Sequence, residues 1–157
     1  MPLSTRWNMS RTRAPQQQTA AHLASRPHPV RVFVAMSFRE LAEPTLVDYW
    51  HAMLRAAKRA RREFNLVRLN EIDGDYEIVD RMYREIDAAQ LVIADLTLSP
   101  ANVYLELGYA RGRQKRVVQM CHSGTRLEFD VRNRRTLIYQ NATMLEDKLL
   151  RELDAMP

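Results

Sequence analysis

Apolar positions along this chain alternate between short unbroken runs and three- and four-residue spacings, and that alternation predicts its elements. The run VRVFVAM at 30–36 is rich in β-branched residues and predicts a first, central strand, with Ser37 and Phe38 in the loop that ends it. From 45 to 64, Leu46, Tyr49, Trp50, Met53, Ala57, Ala60 and Phe64 recur at helical spacing just after Pro44, and predict an amphipathic helix. A short second strand at 66–69 leads into NEIDGDY at 70–76, where Gly74 lies between Asp73 and Asp75 and a loop is expected. Ile78, Val79, Met82, Tyr83 and Ile86 give a helix over 77–89 its inward side, and 91–95 reads as a strand apolar on both faces. A helix from Ser99 or Asn102 to Arg113, a strand at 116–121, a shorter strand at 136–139 and a last helix at 143–156 complete the pattern.

Strands apolar on both faces belong to parallel sheets covered by helices. The order βαβαβαβ(β)α therefore predicts a single doubly wound α/β domain over residues 30–157, with a mostly parallel five-stranded sheet. Ligands of such sheets bind at the carboxyl ends of the strands, near a topological switch point. No internal repeat is visible.

Charge changes the picture only at the start of the 157-residue chain. Residues 1–29, rich in Gln, Ala, Pro and Ser, carry Arg6, Arg11, Arg13 and Arg26 and no acid, and are expected to be a disordered basic tail. Those four arginines account for most of the formal charge of +5, so the remainder is nearly neutral and nucleic acid is not an expected partner. A second cluster, Arg55, Lys58, Arg59, Arg61 and Arg62, reads either as a solvated helix face or as a phosphate footprint. No apolar run approaches the roughly 20 residues that cross a bilayer, and the N-terminal region lacks the apolar core of a secretory signal. With Cys121 as the sole cysteine, a cytoplasmic location is expected.

The candidate chemistry lies in LVIADLTLSPANVYLELGYA at 91–110, a strand running into a helix that carries Glu106 among Val103, Tyr104, Leu105, Leu107 and Tyr109. A buried charge is expensive unless it is paired, so such a glutamate has either a salt-bridge partner or a job. With Ser99 or Asn102 as the helix cap, Glu106 falls within the first two turns, where the helix dipole favours an ionised carboxylate and an anionic ligand. A positioned carboxylate can attack an anomeric carbon, with retention through a glycosyl intermediate, or stabilise an oxocarbenium-like transition state.

Several side chains have more than one reading. Asp95 contacts a ribose hydroxyl or holds its loop through Thr97, and Ser37 and Phe38 contact a ligand or form a plain turn. Tyr109 orients Glu106, lines the pocket, or packs by its ring alone. Asp73 and Asp75 reach the site or form an ordinary acidic loop, while Asp130 and Arg132 read as a structural ion pair rather than a substrate clamp. His22, His28, His51 and His122 show no metal-ligand spacing, and no GxGxxG or Walker loop is present. A metal site, a Rossmann dehydrogenase and a P-loop NTPase are therefore not expected.

VFVAMSF at 32–38, VIADLT…ANVYLELGYA…K at 92–115 and FDVRNRRTLIY at 129–139 resemble the nucleoside 2-deoxyribosyltransferase-like and TIR-like nucleotide-binding superfamily, over roughly residues 31–150. NVYLELGYA resembles the deoxyribosyltransferase helix, and FDVRNRR is more typical of the TIR-like branch. The resemblance implies a flavodoxin-like sheet and a catalytic Glu106 that acts at the anomeric carbon while an N-glycosidic bond to a base or nicotinamide breaks. Relatives of the transferase type carry a second acid on the preceding helix; the ungapped position here is Met82, with Asp80 two residues away. The candidate substrate-binding set is Ser37, Phe38, Asp95, Asn102, Tyr109 and Asp80.

Two readings follow. One is an enzyme that cleaves or transfers at the N-glycosidic bond of a nucleoside, nucleotide or NAD, with Glu106 as nucleophile. The other is a non-catalytic TIR-like module that senses a nucleotide or assembles with copies of itself. The expected partners are a small nucleoside or nucleotide and further copies of the chain, without a membrane. No metal or cofactor is expected, NAD entering only as a candidate substrate.

Overall fold

The computed structural model describes residues 28–69 and 77–157. Most of the basic tail, with His22, and the acidic loop with Asp73 and Asp75 lie outside the described residues.

Five strands form the sheet: β1 (Val30–Ala35), β2 (Phe64–Val67), β3 (Leu91–Asp95), β4 (Arg116–His122) and β5 (Thr136–Tyr139). Their order is β2-β1-β3-β4-β5, and every neighbouring pair is parallel. The chain leaves β1 toward β2, then crosses back to β3 on the other side of β1. The switch point therefore lies between β1 and β3, and the doubly wound α/β expectation holds with the whole sheet parallel.

Alternation along the strands sorts side chains between two cores. Val30, Val32, Val34, Leu91, Ile93, Val118 and Met120 face α1 (Thr45–Arg59) and α5 (Ala142–Asp154). Phe33, Ala35, Val92, Ala94 and Cys121 face α2 (Glu77–Ala88) and α3 (Ala101–Gly112). β3 is buried at all five positions because helices cover it on both faces.

The helix expected over 45–64 ends at Arg59, and the second strand starts at Phe64 rather than 66. Ala60 turns extended (ψ 151°), the Arg61 amide donates to Asp154 Oδ1 at 2.8 Å, and Phe64 pairs with Val30. Phe64 is apolar because it enters the sheet; its i+4 relation to Ala60 only mimics a continuing helix. A short α4 (Phe129–Arg132) that apolar spacing did not predict follows β4. Asp130 and Arg132 do not form the expected ion pair; the Arg132 guanidinium lies 4.6 Å from the centroid of the Phe129 ring instead. α5 opens one residue before the expected 143, with Asn141 Oδ1 accepting from the Met144 amide at 2.9 Å. Among the described residues no helix is long and apolar enough to cross a membrane.

Candidate active site

The carboxyl ends of β1 and β3 bring three of the expected residues to one edge. Ala35 pairs with Ala94, so Ser37 and Phe38 emerge beside Asp95 at the switch point. Ser37 is buried and its Oγ accepts from the Arg39 amide at 3.3 Å, which is turn geometry. Phe38 is half-buried and receives the Arg68 guanidinium 5.6 Å from its ring centroid. The same guanidinium lies 4.8 Å from the Trp50 ring, pairs with Glu40 at 2.7 Å and approaches Met36 Sδ at 3.5 Å. Arg68 thus fixes the loop after β1 from the end of β2. Nothing in the spacing of Arg68, Trp50 and Glu40 along the sequence marks them as partners.

Asp95 is 1% exposed, and its two oxygens are both engaged. Oδ1 accepts from the Thr97 amide at 3.1 Å and the Thr97 hydroxyl at 2.6 Å, while Oδ2 accepts from the Tyr139 hydroxyl at 2.8 Å. Thr97 Oγ1 in turn accepts from the His122 amide at 2.9 Å and lies 2.8 Å from the Tyr139 hydroxyl. Burial pushes the Asp95 carboxyl above its ordinary range, against the opposing pull of the hydrogen bonds from Thr97 and Tyr139. This network ties β3, β4 and β5 together and gives Asp95 its loop-holding role. Tyr49 closes it from α1, with its ring 4.9 Å from that of Tyr139, edge to face.

Two other reactive side chains beside this network are bound up in structure. Cys121 is buried, and burial followed by the charge of Asp95 raises its thiol to about 11, so it stays protonated at neutral pH. His122 Nδ1 accepts from the Gly124 amide at 3.2 Å, which leaves the proton on Nε2 facing the Gln140 carbonyl at 3.2 Å.

Immediately beyond this edge the chain passes through Leu98 and Ser99, both at positive φ (68° and 46°), before α3 begins. Neither expected cap closes the helix: Pro100 occupies the cap position, Ser99 Oγ donates to the Arg126 carbonyl at 2.8 Å, and Asn102 is already the second helical residue. Glu106 consequently sits in the second turn, beyond the first turn where the dipole acts most strongly. It shares the buried side of α3 with Val103, Leu107 and Ala110 and is only 6% exposed. Val103 and Leu107 pack against Phe33, Ala35, Ala94 and Leu96, so the helix side bearing the carboxylate is the one applied to the carboxyl-terminal half of β1 and β3.

Tyr109 and Asp80 are placed differently. The Tyr109 hydroxyl donates to Asp87 Oδ2 at 2.9 Å, at the end of α2, and its ring lies 4.2 Å from that of Tyr83. Tyr109 therefore joins α3 to α2 through its hydroxyl and its ring. Asp80 is exposed on α2, whereas Met82 points into the core among Phe33, Ala35, Val103 and Leu107. The two positions are separated by about 200° around the helix. Among the described residues no group of three His, Cys, Asp or Glu side chains converges as metal ligands.

Comparison with known proteins shows the fold. No family model and no curated protein matches the chain. The structure of Clostridium botulinum CMP N-glycosidase, BcmB, superposes with a TM-score of 0.58 at 18% identity, covering 78% of this chain and 99% of that one. The two share a fold. A 2-deoxyribosyltransferase from Leishmania mexicana aligns at a TM-score of 0.43 and 22% identity, over 59% of this chain and 65% of that one.

Proposed function

We propose that this protein is an enzyme that breaks or transfers the N-glycosidic bond of a nucleoside or nucleotide, with Glu106 as the nucleophile. The observation that carries the reading is the placement of Glu106: a carboxylate 6% exposed, on the helix that follows the central strand at the switch point. The matched fold of a CMP N-glycosidase along nearly its whole length supports it.

In this mechanism the sugar lies over the ends of β1 and β3, with Ser37, Phe38 and Asn102 as contacts. Glu106 attacks the anomeric carbon as the bond to the base lengthens, and the base departs with the bonding pair. Water or a second base then takes the sugar from the glutamyl ester and restores the carboxylate. Asp95 serves by holding the loop that leads into α3, because both of its oxygens are already committed to Thr97 and Tyr139. The chemistry needs positioning and one carboxylate.

Incubation with a panel of nucleosides, nucleoside monophosphates and NAD, with free base followed by chromatography, tests the proposal. Base release from at least one nucleoside or nucleotide is the expected result. A panel that stays intact while the same samples bind the folded protein overturns it.

A further inference from the structure

A cleft of about 510 Å³ opens at the other end of the sheet, under the last turn of α3. It is lined by four cations, Arg111, Lys115, Arg134 and Arg135, and by the amides Gln114 and Gln119, with no carboxylate among its lining residues. Arg116 begins β4 and Thr136 begins β5, so the cleft sits at the amino ends of these strands. Asp95, Thr97 and Tyr139 lie at the carboxyl ends.

Two of the four charges are already committed. Arg135 pairs bidentately with Glu152 at 2.7 and 2.8 Å, and Lys115 Nζ donates to the carbonyls of Asp87 and Ala89 at 2.5 and 3.0 Å. Arg111 and Arg134 have no carboxylate partner among the described residues. They stand close enough that the charge of Arg134, after burial, holds the Arg111 guanidinium below its ordinary value.

Like charges brought together in a cleft repel, yet the fold holds them there by specific means. Gln119 is 3% exposed; its Oε1 accepts from Arg111 Nη2 at 2.6 Å, and its Nε2 donates to the Val131 carbonyl at 3.1 Å and Thr136 Oγ1 at 2.8 Å. A carboxylate at that position would neutralise Arg111; an amide aims it and leaves the charge intact. Gln114 adopts φ 57° after α3, a position that favours glycine, and so keeps a hydrogen-bonding side chain on the cleft wall. Arg111 also suits the negative end of its helix, but Arg134, outside any helix, has no such reason to be there.

The geometry points to a second binding site, for a small phosphate-bearing anion held between the Arg111 and Arg134 guanidiniums and separate from the Glu106 site. Guanidinium forks match phosphate oxygens in paired hydrogen bonds. The volume suits a small molecule, and the committed charges of Arg113, on Asp87, and Arg135, on Glu152, leave no continuous basic track for a polymer.

Calorimetric titration of the full chain with sodium pyrophosphate at constant ionic strength tests the site, with inorganic phosphate and a nucleoside monophosphate as parallel arms that separate a bare headgroup from a nucleotide. Binding is expected to weaken with added salt, to weaken by about tenfold or more in Arg134→Gln and in Arg111→Gln, and to be unchanged in Glu106→Gln. Arg134 is exposed, so its variant is expected to fold; Arg111→Lys serves if Arg111→Gln does not. Equal pyrophosphate affinity in the parent and both arginine variants, no binding at millimolar pyrophosphate, or stronger binding of an oligonucleotide at equal phosphate concentration would overturn the inference.

Discussion

The Tyr139 hydroxyl donates to Asp95 Oδ2 at 2.8 Å and so joins the carboxyl ends of β5 and β3 across the intervening β4. With Thr97 Oγ1 at 2.6 Å from Asp95 Oδ1 and 2.8 Å from the Tyr139 oxygen, the contacts close a ring of three. Thr97 Oγ1 and the Tyr139 hydroxyl are thus each engaged with Asp95 and with one another.

Burial raises the Asp95 carboxyl above its ordinary range, and the sign for stability follows. A folded-state value above the unfolded one gives stabilisation that is full below about pH 3.9 and is lost as pH rises through the folded value. Asp95→Asn removes the titrating carboxyl at this position. Its melting temperature is expected to fall less than the parent's between pH 4 and 8, and parallel profiles in a thermal scan would contradict a raised Asp95 carboxyl.

Tyr139→Phe keeps the ring against Tyr49 and removes only the hydroxyl. The loss leaves a buried Asp95 oxygen without its donor and is expected to lower stability by about 1–3 kcal/mol. Urea unfolding measures this, and an unchanged midpoint would show that the network does not hold the strand ends.

Between α5 and α1, Glu146 receives Arg55 at 2.7 Å and Arg59 at 2.6 Å. The hydrogen bond from Arg55, then that from Arg59, holds the Glu146 carboxyl below its ordinary value. The stabilisation is present above about pH 4.3 and lost as pH falls through the lowered folded value. Glu146→Gln is expected to melt below the parent at pH 7 and together with it near pH 2. A gap that persists at pH 2 would assign its effect to packing instead.

Met82 is a core side chain in this fold. Met82→Leu is expected to change stability by less than about 1.5 kcal/mol and Met82→Ala to lower it by about 2–5 kcal/mol, both read from denaturant unfolding. A neutral alanine variant would remove Met82 from the core between α2 and the sheet.

The alternation of elements was legible because β3 and β1 are buried on both faces and their helices are amphipathic. Strands 91–95 and 136–139 were placed to the residue. What escaped the sequence was contact at a distance. Phe64 looks helical until its pairing with Val30 is seen, and Asp130–Arg132 looks like an ion pair until Phe129 takes the arginine. The same holds at the site. Glu106 was visible as a carboxylate among apolar neighbours, and Asp95 through its proximity to Thr97. Tyr139 and Arg68 were not, since each reaches its partner across a neighbouring strand or loop. Tyr109, one turn from Glu106 in sequence, uses its hydroxyl on Asp87.

The central claim is that Glu106 performs the bond-breaking step, and the initial rate of base release by Glu106→Gln against the parent, on the best substrate of the panel, tests it most directly. With the unfolding midpoint unchanged, the rate is expected to fall by at least about 100-fold, the scale lost when a group acting on the transition state is removed. A folded Glu106→Gln protein that releases base as fast as the parent would contradict the account.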